Sequence, residues 1–496
     1  MLDFFQQAKR SLNKIAIHSD GNSYTFSDLL KNTDRLSFEL LKVHSDLNET
    51  RVAFMVKPGF NYVSSLWSIW QSGGVAVPLC ISHPLPSLEY VLEDSTASIL
   101  IISKEYKSIL IPFLIHSKIR LIILEEINED QISVQLPEIE LKRNAMILYT
   151  SGTTNKPKGV VTTHENIQAQ VQTLIKAWGW TKDDHVICVL PLHHVHGIIN
   201  VVCCSMWVGA SCTFESEFSP QNIFEQFKEK NINVFMAVPT IYFKLITYLE
   251  SLSKDEQVAL KIVMQKFRLM VCGSAALPIS VMKKWEQLSG QILLERYGMT
   301  ELGMAISNPY VGERRAGFVG LPLIGVNVKL VDENHKEVIP GEPGEIIVKG
   351  KNVFKEYWRM PEASFESFTK DGWFKTGDIA VLEDGYFRIM GRNSIDIIKS
   401  GGYKISALEI EEILRQYTTI DDCAVVGIND DEWGELIVAV VILKKDTLLN
   451  EIELSNWFIQ RTAAYKKPRK YLVVSELPRN AMGKVVKNEL KKLFNF

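Results

Sequence analysis

Two hydrophobic periods alternate along the first half of this chain, and that alternation most limits what it can fold into. Helical spacing at Leu29, Leu30, Leu36, Leu40 and Leu41 gives way to short apolar runs bounded by turn residues, such as Ile99 to Ile102 and Leu121 to Leu124. Strands apolar on both faces must be covered on both, so this rhythm predicts largely parallel sheets layered with helices. Between Val326 and Met390 the texture becomes strand, turn, strand. Val326 to Val331 precedes Asp332-Glu333-Asn334, Glu345 to Val348 follows Pro340-Gly341-Glu342-Pro343-Gly344, and Glu383-Asp384-Gly385 precedes Tyr386 to Met390. A small antiparallel subdomain is expected over about residues 326–391.

A new unit starts after Gly391-Arg392-Asn393-Ser394, with Ile395 to Ile398, a Gly401-Gly402 turn and Ser406-Ala407-Leu408-Glu409, which has the spacing of a helix capping box. The expected fold class is α/β, α+β overall. A large N-terminal domain of βα-layered sheets (1–392), including the antiparallel subdomain, is followed by a small α+β C-terminal domain (393–496). At 496 residues the chain exceeds what one core supports.

The chain is 46% hydrophobic and 23% charged with formal net charge -3, so no basic bias calls for a nucleic-acid partner. Seven cysteines form no C-x-x-C pair, which fits reduced thiols in a cytoplasm. The N-terminus has an early acid and little arginine, and no secretion signal or mitochondrial address is read there. The apolar stretch Gly197 to Cys212 is interrupted by Asn200 and Ser205 and is shorter than the roughly 20 residues of a membrane span. It is expected to be buried core, and no integral membrane association is expected. Oligomeric state is left open.

The strongest local signal is Tyr149-Thr150-Ser151-Gly152-Thr153-Thr154-Asn155-Lys156-Pro157-Lys158-Gly159, placed after the apolar run Ala145 to Leu148. Its hydroxyls, glycines and lysines can surround a polyphosphate with O–H donors, backbone N–H groups and positive charge. It does not fit G-x-x-x-x-G-K-[ST], and as a bare Ser/Thr/Gly cluster it could equally be a surface turn.

This segment closely resembles the phosphate-binding signature of the adenylate-forming superfamily, and further segments resemble other motifs of that family in its order. They are Pro191-Leu192-His193-His194-Val195-His196-Gly197, Glu295-Arg296-Tyr297-Gly298-Met299-Thr300-Glu301, Trp373-Phe374-Lys375-Thr376-Gly377-Asp378, Gly391-Arg392 and Pro478-Arg479-Asn480-Ala481-Met482-Gly483-Lys484. The resemblance implies an ATP-dependent acid–thiol ligase working through an acyl-adenylate, with ATP, Mg2+ and coenzyme A as small-molecule partners. It implies that Thr150, Ser151, Gly152, Thr153, Thr154, Lys156 and Lys158 hold the β- and γ-phosphates. Thr300 touches the α-phosphate, Glu301 coordinates magnesium with Thr150 at the same metal, and Tyr297-Gly298 faces adenine. Asp378 and Arg392 hold the ribose.

By the same resemblance, Lys484 bridges the substrate carboxylate and the α-phosphate during adenylation. The C-terminal domain then rotates and brings Ser400, Gly401, Gly402, Tyr403 and Lys404 to the coenzyme A tunnel. The family usually carries Asp or Lys two residues after the arginine of the joint, whereas Ser394 stands here. Isolated, each of these residues reads as an ordinary solvated turn or helix-end group.

The acid is read from Arg296. A buried guanidinium demands an anion, and a second substrate carboxylate would supply it; the bland reading is a local salt bridge to Glu295 or another acid. The segments 190–197, 233–242, 293–301 and 394–404 resemble the malonyl-CoA synthetase branch. The expected acid is therefore malonate, bound by His194, Val195, Ser274, Arg296 and Met304, with His194 beside the acyl pocket and the entry of the thiol donor. His193, His194 and His196 have no acidic or cysteine neighbour in sequence, which argues against a metal there. The alternatives are a short- or medium-chain monocarboxylate ligase, a carrier-protein ligase or an inactive nucleotide-binding relative.

Overall fold

The computed structural model describes residues 3–128, 135–150, 156–215, 217–229, 231–479 and 483–494, excluding the side chain of Lys404. Its fold is mixed α/β, with a large N-terminal domain of layered sheets and a smaller C-terminal domain.

The parallel run Arg120–Ile123, Ile99–Ile102, Arg51–Met55, Val75–Pro78 and Asn144–Thr150 forms most of a seven-stranded sheet. The inner strands are buried on both faces, as helices covering each side require. The helix Phe26–Leu41 starts at a Thr25/Asp28 capping box and buries Leu29, Leu36 and Leu40. Beneath it lies the helix Phe60–Gln71, which is tied to the sheet by Trp70 Nε1 donating to the Ala145 carbonyl at 2.9 Å.

A second, nine-stranded sheet runs parallel through Ile15–Ser19, Ser211–Phe214, His185–Cys188, Val234–Ala237, Leu269–Cys272 and Leu294–Met299. Both parallel runs then reverse into antiparallel hairpins. In the seven-stranded sheet Asn144–Thr150 pairs with Lys158–Thr163, and in the nine-stranded sheet Leu294–Met299 pairs with Gly303–Ser307. These two hairpins carry most of the residues to which sequence assigns phosphate, metal and acid roles. The apolar stretch Gly197 to Cys212 forms helical turns over His196–Val208, buried as expected, and enters the strand Ser211–Phe214. Among the described residues no helix is long and apolar enough to cross a membrane.

The antiparallel unit expected over 326–391 is a four-stranded sheet of Val326–Val331, Gly344–Gly350, Phe374–Glu383 and Tyr386–Arg392. Its last turn has Asp384 and Gly385 both at positive φ, the geometry that an Asp-Gly hairpin supplies at low strain. The C-terminal sheet begins with the hairpin Ile397–Ser400/Tyr403–Ser406. The capping box expected at Ser406 is only half made. Ser406 Oγ accepts from the Glu409 N–H at 3.2 Å, but the Glu409 carboxylate is drawn instead to Lys466 Nζ at 2.6 Å.

Candidate active site

The turn joining Leu294–Met299 to Gly303–Ser307 presents Thr300 and Glu301. Its tightness depends on Gly298, where a Cβ would lie 2.0 Å from the Gly303 carbonyl oxygen and 2.7 Å from Met304 Cε. Met304 is thereby fixed against Gly298 as part of the buried hairpin. Glu301 is 7% exposed, and burial pushes its carboxyl pKa upward. The hydroxyl of Tyr357 donates to Glu301 Oε1 at 2.9 Å, and Lys158 Nζ stands 5.0 Å from the Tyr357 ring centre. Tyr357 arrives because its short strand, Glu356–Tyr357, pairs with Lys158–Thr163, so one strand contact joins the ends of the two hairpins. Thr150 and Lys158 are directly paired across the base of the hydroxyl-rich loop, and Lys156 Nζ lies 5.7 Å from the Tyr90 ring centre. Ser151, Gly152, Thr153 and Thr154 lie outside the described residues.

Tyr297, Asp378 and Arg392 form one network. The Tyr297 hydroxyl donates to Asp378 Oδ2 at 2.6 Å, and Arg392 Nε donates to Asp378 Oδ1 at 3.1 Å. Asp378 and Arg392 are register partners on adjacent strands, which puts both side chains on one face. Burial depresses the Arg392 pKa, but the nearby Asp378 and Tyr297 more than offset this and hold it above its ordinary value.

Arg296 and Glu295 point to opposite sides of their strand, as successive residues must. Arg296 is 3% exposed, its Nε meets no partner, and among the described residues no carboxylate lies within 4.0 Å of its nitrogens. The salt bridge to Glu295 is therefore not made. Glu295 Oε1 instead accepts from the Leu277 N–H at 3.2 Å, and burial pushes its carboxyl up to about 8. Burial lowers Arg296 only to about 10, leaving it cationic at neutral pH.

Arg296 lies across the backbone of Gly273, where a Cβ would come within 2.6 Å of its Cζ. Its Nη2 donates to Ser274 Oγ at 3.4 Å, and that oxygen also meets His196 Nδ1 at 3.1 Å. Ser274 holds φ of 72°, in the left-handed region that non-glycine residues seldom adopt. His196 is kept neutral by burial and by the nearby Arg296. One helical turn on, Asn200 is fully buried with neither side-chain amide atom bonded. Sequence reasoning singled out Ser274 and Arg296, weighed His196 only as a metal ligand and Asn200 only as a break in an apolar run, and did not name Tyr357; the ring–hydroxyl–guanidinium chain exists only through long-range packing.

His194 is half-buried and held neutral, its pKa pushed down to about 3 by desolvation and then by His193 and His83. Val195 is half-buried at the edge of the main core. The cysteine that sequence did not offer is supplied by the fold, for Cys80 and His83 lie beside His193.

In the C-terminal domain Gly483 packs on Thr240, where a Cβ would be 2.7 Å from Oγ1, and Glu412 Oε1 accepts from the Ile279 N–H at 3.2 Å. The loop that carries Lys484 thus meets the N-terminal domain. Lys484, with Lys487, also holds the buried Asp396 below the usual carboxylate range, against the opposing effect of burial. The hairpin Ser400 to Tyr403 is elsewhere. Tyr403 stacks on Tyr465 with ring centres 4.3 Å apart, Gly401 approaches Trp433, and Ser400 pairs with Gly434, all within the C-terminal domain. Ser394 is exposed in the turn after Arg392.

Residues 4–358 match the model of the AMP-binding enzyme family, and residues 409–484 match that of the AMP-binding enzyme C-terminal domain. The chain belongs to the AMP-binding enzyme family. The human protein named malonate–CoA ligase ACSF3, mitochondrial, is 44% identical over 528 aligned positions, spanning 99% of this chain and 92% of its own. ATP-bound MatB from Rhodopseudomonas palustris is 30% identical and superposes with a TM-score of 0.90, covering 100% of this chain and 99% of that one. The apo form of the same enzyme, with equal identity and coverage, gives 0.82.

Proposed function

We propose that this enzyme adenylates malonate with ATP and passes the malonyl group to coenzyme A, releasing AMP and pyrophosphate. The observation that carries the choice of acid is Arg296, a buried cation with no carboxylate partner among the described residues, beside a Glu295 that turns instead to the Leu277 N–H and whose carboxyl is pushed up by burial. A bound dicarboxylate completes the pair; a monocarboxylate leaves the guanidinium desolvated and alone. The name of the human relative, a malonate–CoA ligase, supports the same reading.

In this reading one malonate carboxylate sits on Arg296, with Ser274 orienting the guanidinium and Val195, His194 and Met304 closing a short pocket. The other carboxylate attacks the α-phosphate, the bond to the β-phosphate breaks, and pyrophosphate leaves. Thr150, Lys156 and Lys158, with Ser151, Gly152, Thr153 and Thr154, bind the β- and γ-phosphates. Thr300 and Lys484 bind where negative charge concentrates at the α-phosphate. The adenine lies against Tyr297 and Gly298, and the ribose hydroxyls donate to Asp378 beside Arg392.

Glu301 fits a hard divalent cation, since its buried carboxylate has an elevated pKa that a metal charge would reverse, and Thr150 stands at the neighbouring hairpin. Magnesium bound there supplies charge neutralisation of the phosphate oxygens. For the second half-reaction the domain from residue 393 turns about the joint after Arg392, with Ser394 at the pivot. Ser400, Gly401, Gly402, Tyr403 and Lys404 then receive coenzyme A, whose thiolate attacks the acyl carbon and expels AMP.

A cytoplasmic location is the reading that the reduced, buried cysteines support. Cell fractionation that places the protein in mitochondria, as the name of the human relative has it, overturns it.

The deciding experiment is AMP release from a panel of malonate, methylmalonate, acetate, propionate and octanoate, with and without coenzyme A. Malonate should give the highest kcat/KM and release AMP in step with thioester. Faster turnover of a monocarboxylate, or a demand for a carrier protein in place of coenzyme A, would replace this reading.

A further inference from the structure

We propose that Cys80, His83 and His193 form a binding site for a zinc-class divalent cation, and that its occupancy pins the segment 191–197 at the edge of the acid pocket. The three residues come from two distant parts of the chain. Cys80 and His83 lie in the turn that follows the strand Val75–Pro78, and His193 lies in the segment that precedes the helical turns at His196. One ligand atom from each falls within 4.8 Å of the others. In a tetrahedral zinc site, with bonds of about 2.0–2.3 Å, ligand atoms are roughly 3.5 Å apart. The His83 imidazole is the exposed member of the three, so it is the one with room to adjust to an ion.

The donor set selects the ion. One thiolate and two imidazoles suit a borderline-soft cation such as zinc and do not suit magnesium, which demands oxygen. The thiol of Cys80 lies against the imidazoles of both His193 and His83, so sulfur and ring nitrogens already face one another across the site. Access is from the His83 side, where the ring reaches solvent, and the fourth coordination position there is left to water. Cys80 itself is buried, with its Sγ 3.2 Å from Ser82 Oγ.

The consequence follows from what His193 adjoins. Its ring lies 4.1 Å, centre to centre, from that of His194, and the next turn begins with His196, which reaches Ser274. The carbonyl of Leu192 is also held at 2.5 Å by the Tyr62 hydroxyl. A metal joining His193 to the Cys80 turn adds a second anchor to this segment and slows any movement that acid entry needs. Zinc therefore acts as an inhibitor of the ligase, separately from magnesium at the phosphates.

The test uses the full chain without a histidine tag, stripped of metal and titrated with cobalt(II), whose thiolate charge-transfer absorption reports a sulfur ligand directly. Zinc affinity is then read by competition with a chromophoric chelator in excess magnesium. The expected result is one equivalent of cobalt with the charge-transfer band. Cys80→Ser should lose the band, and zinc binding should weaken about tenfold or more in His83→Gln. Cobalt binding without the band, or zinc affinity unchanged in both variants, overturns the site. In the ligase assay zinc should slow wild type and spare His83→Gln, whose activity without zinc should match wild type. Equal zinc sensitivity of the two overturns the pinning.

Discussion

The hydroxyl of Tyr297 and the carboxylate of Asp378, 81 positions apart in sequence, meet in a 2.6 Å hydrogen bond, with Arg392 on the other carboxylate oxygen. In the proposed scheme, the tyrosine ring that faces adenine is thereby fixed by the acid that holds ribose. Removing the charge at one end loosens both. Asp378→Asn should lower kcat/KM for ATP by about tenfold to a hundredfold, the value of one charged hydrogen bond with some loss of positioning. Tyr297→Phe, which keeps the ring and drops only the tether, should cost less. Steady-state kinetics with ATP varied at saturating malonate checks the order of the two.

In the proposed scheme, discrimination between acids rests on Arg296. Arg296→Ala should lower kcat/KM for malonate by roughly a thousandfold, about 4 kcal/mol, while acetate changes by no more than about threefold. Arg296→Lys should recover part of the loss, since it restores charge without the planar fork. Assaying both acids with each variant separates lost specificity from general damage, which would lower the two rates together.

Lys484 belongs to one half-reaction in the proposed scheme. Lys484→Ala should reduce pyrophosphate release at least about a hundredfold, yet leave thioester formation from supplied malonyl-adenylate within about twofold. Single-turnover measurement of each half-reaction decides this, and equal loss of both would contradict a lysine that withdraws between steps.

What could be read from sequence, and what could not, divides by range. The strands Val326–Val331 and Tyr386–Arg392 and the Asp384-Gly385 turn follow from alternation and local turn chemistry, and their bounds were legible to within a few residues. Arg296 stood out because Glu295-Arg296 precede Tyr297-Gly298-Met299-Thr300-Glu301 where the resembling family usually carries small or neutral residues. The partners that complete the site were not legible. Tyr357 reaches Glu301 only because a two-residue strand crosses to the other hairpin, and His196 reaches Ser274 only because the sheet order sets one helix over the end of Leu269–Cys272. Cys80 beside His193 is of the same kind. At Ser406 a locally sound motif was only half realised because a distant lysine captured the glutamate.

Gly298 is a place where backbone meets backbone, and no rotamer change can relieve it. Gly298→Ala puts a methyl 2.0 Å from the Gly303 carbonyl oxygen and must open the turn that carries Thr300 and Glu301. A loss of about 2–4 kcal/mol in stability is expected, together with loss of adenylation. Thermal unfolding and pyrophosphate release measured on the same preparation should fall together.

Glu295 gives the fold a pH dependence of unusual sign. Its carboxyl titrates at about 8 in the folded chain against 4.5 for an ordinary glutamate, so between those values the folded state binds more protons than the unfolded state. Its contribution therefore favours folding at low pH and is lost as pH rises through that window. Gln at this position keeps an acceptor for the Leu277 N–H and never ionises. Glu295→Gln should thus match wild type in thermal midpoint near about pH 5 and exceed it near about pH 9. A midpoint difference that stays constant across that range would mean that the Glu295 carboxyl ionises in the folded protein as readily as in solvent, and that Arg296 does have an anionic neighbour.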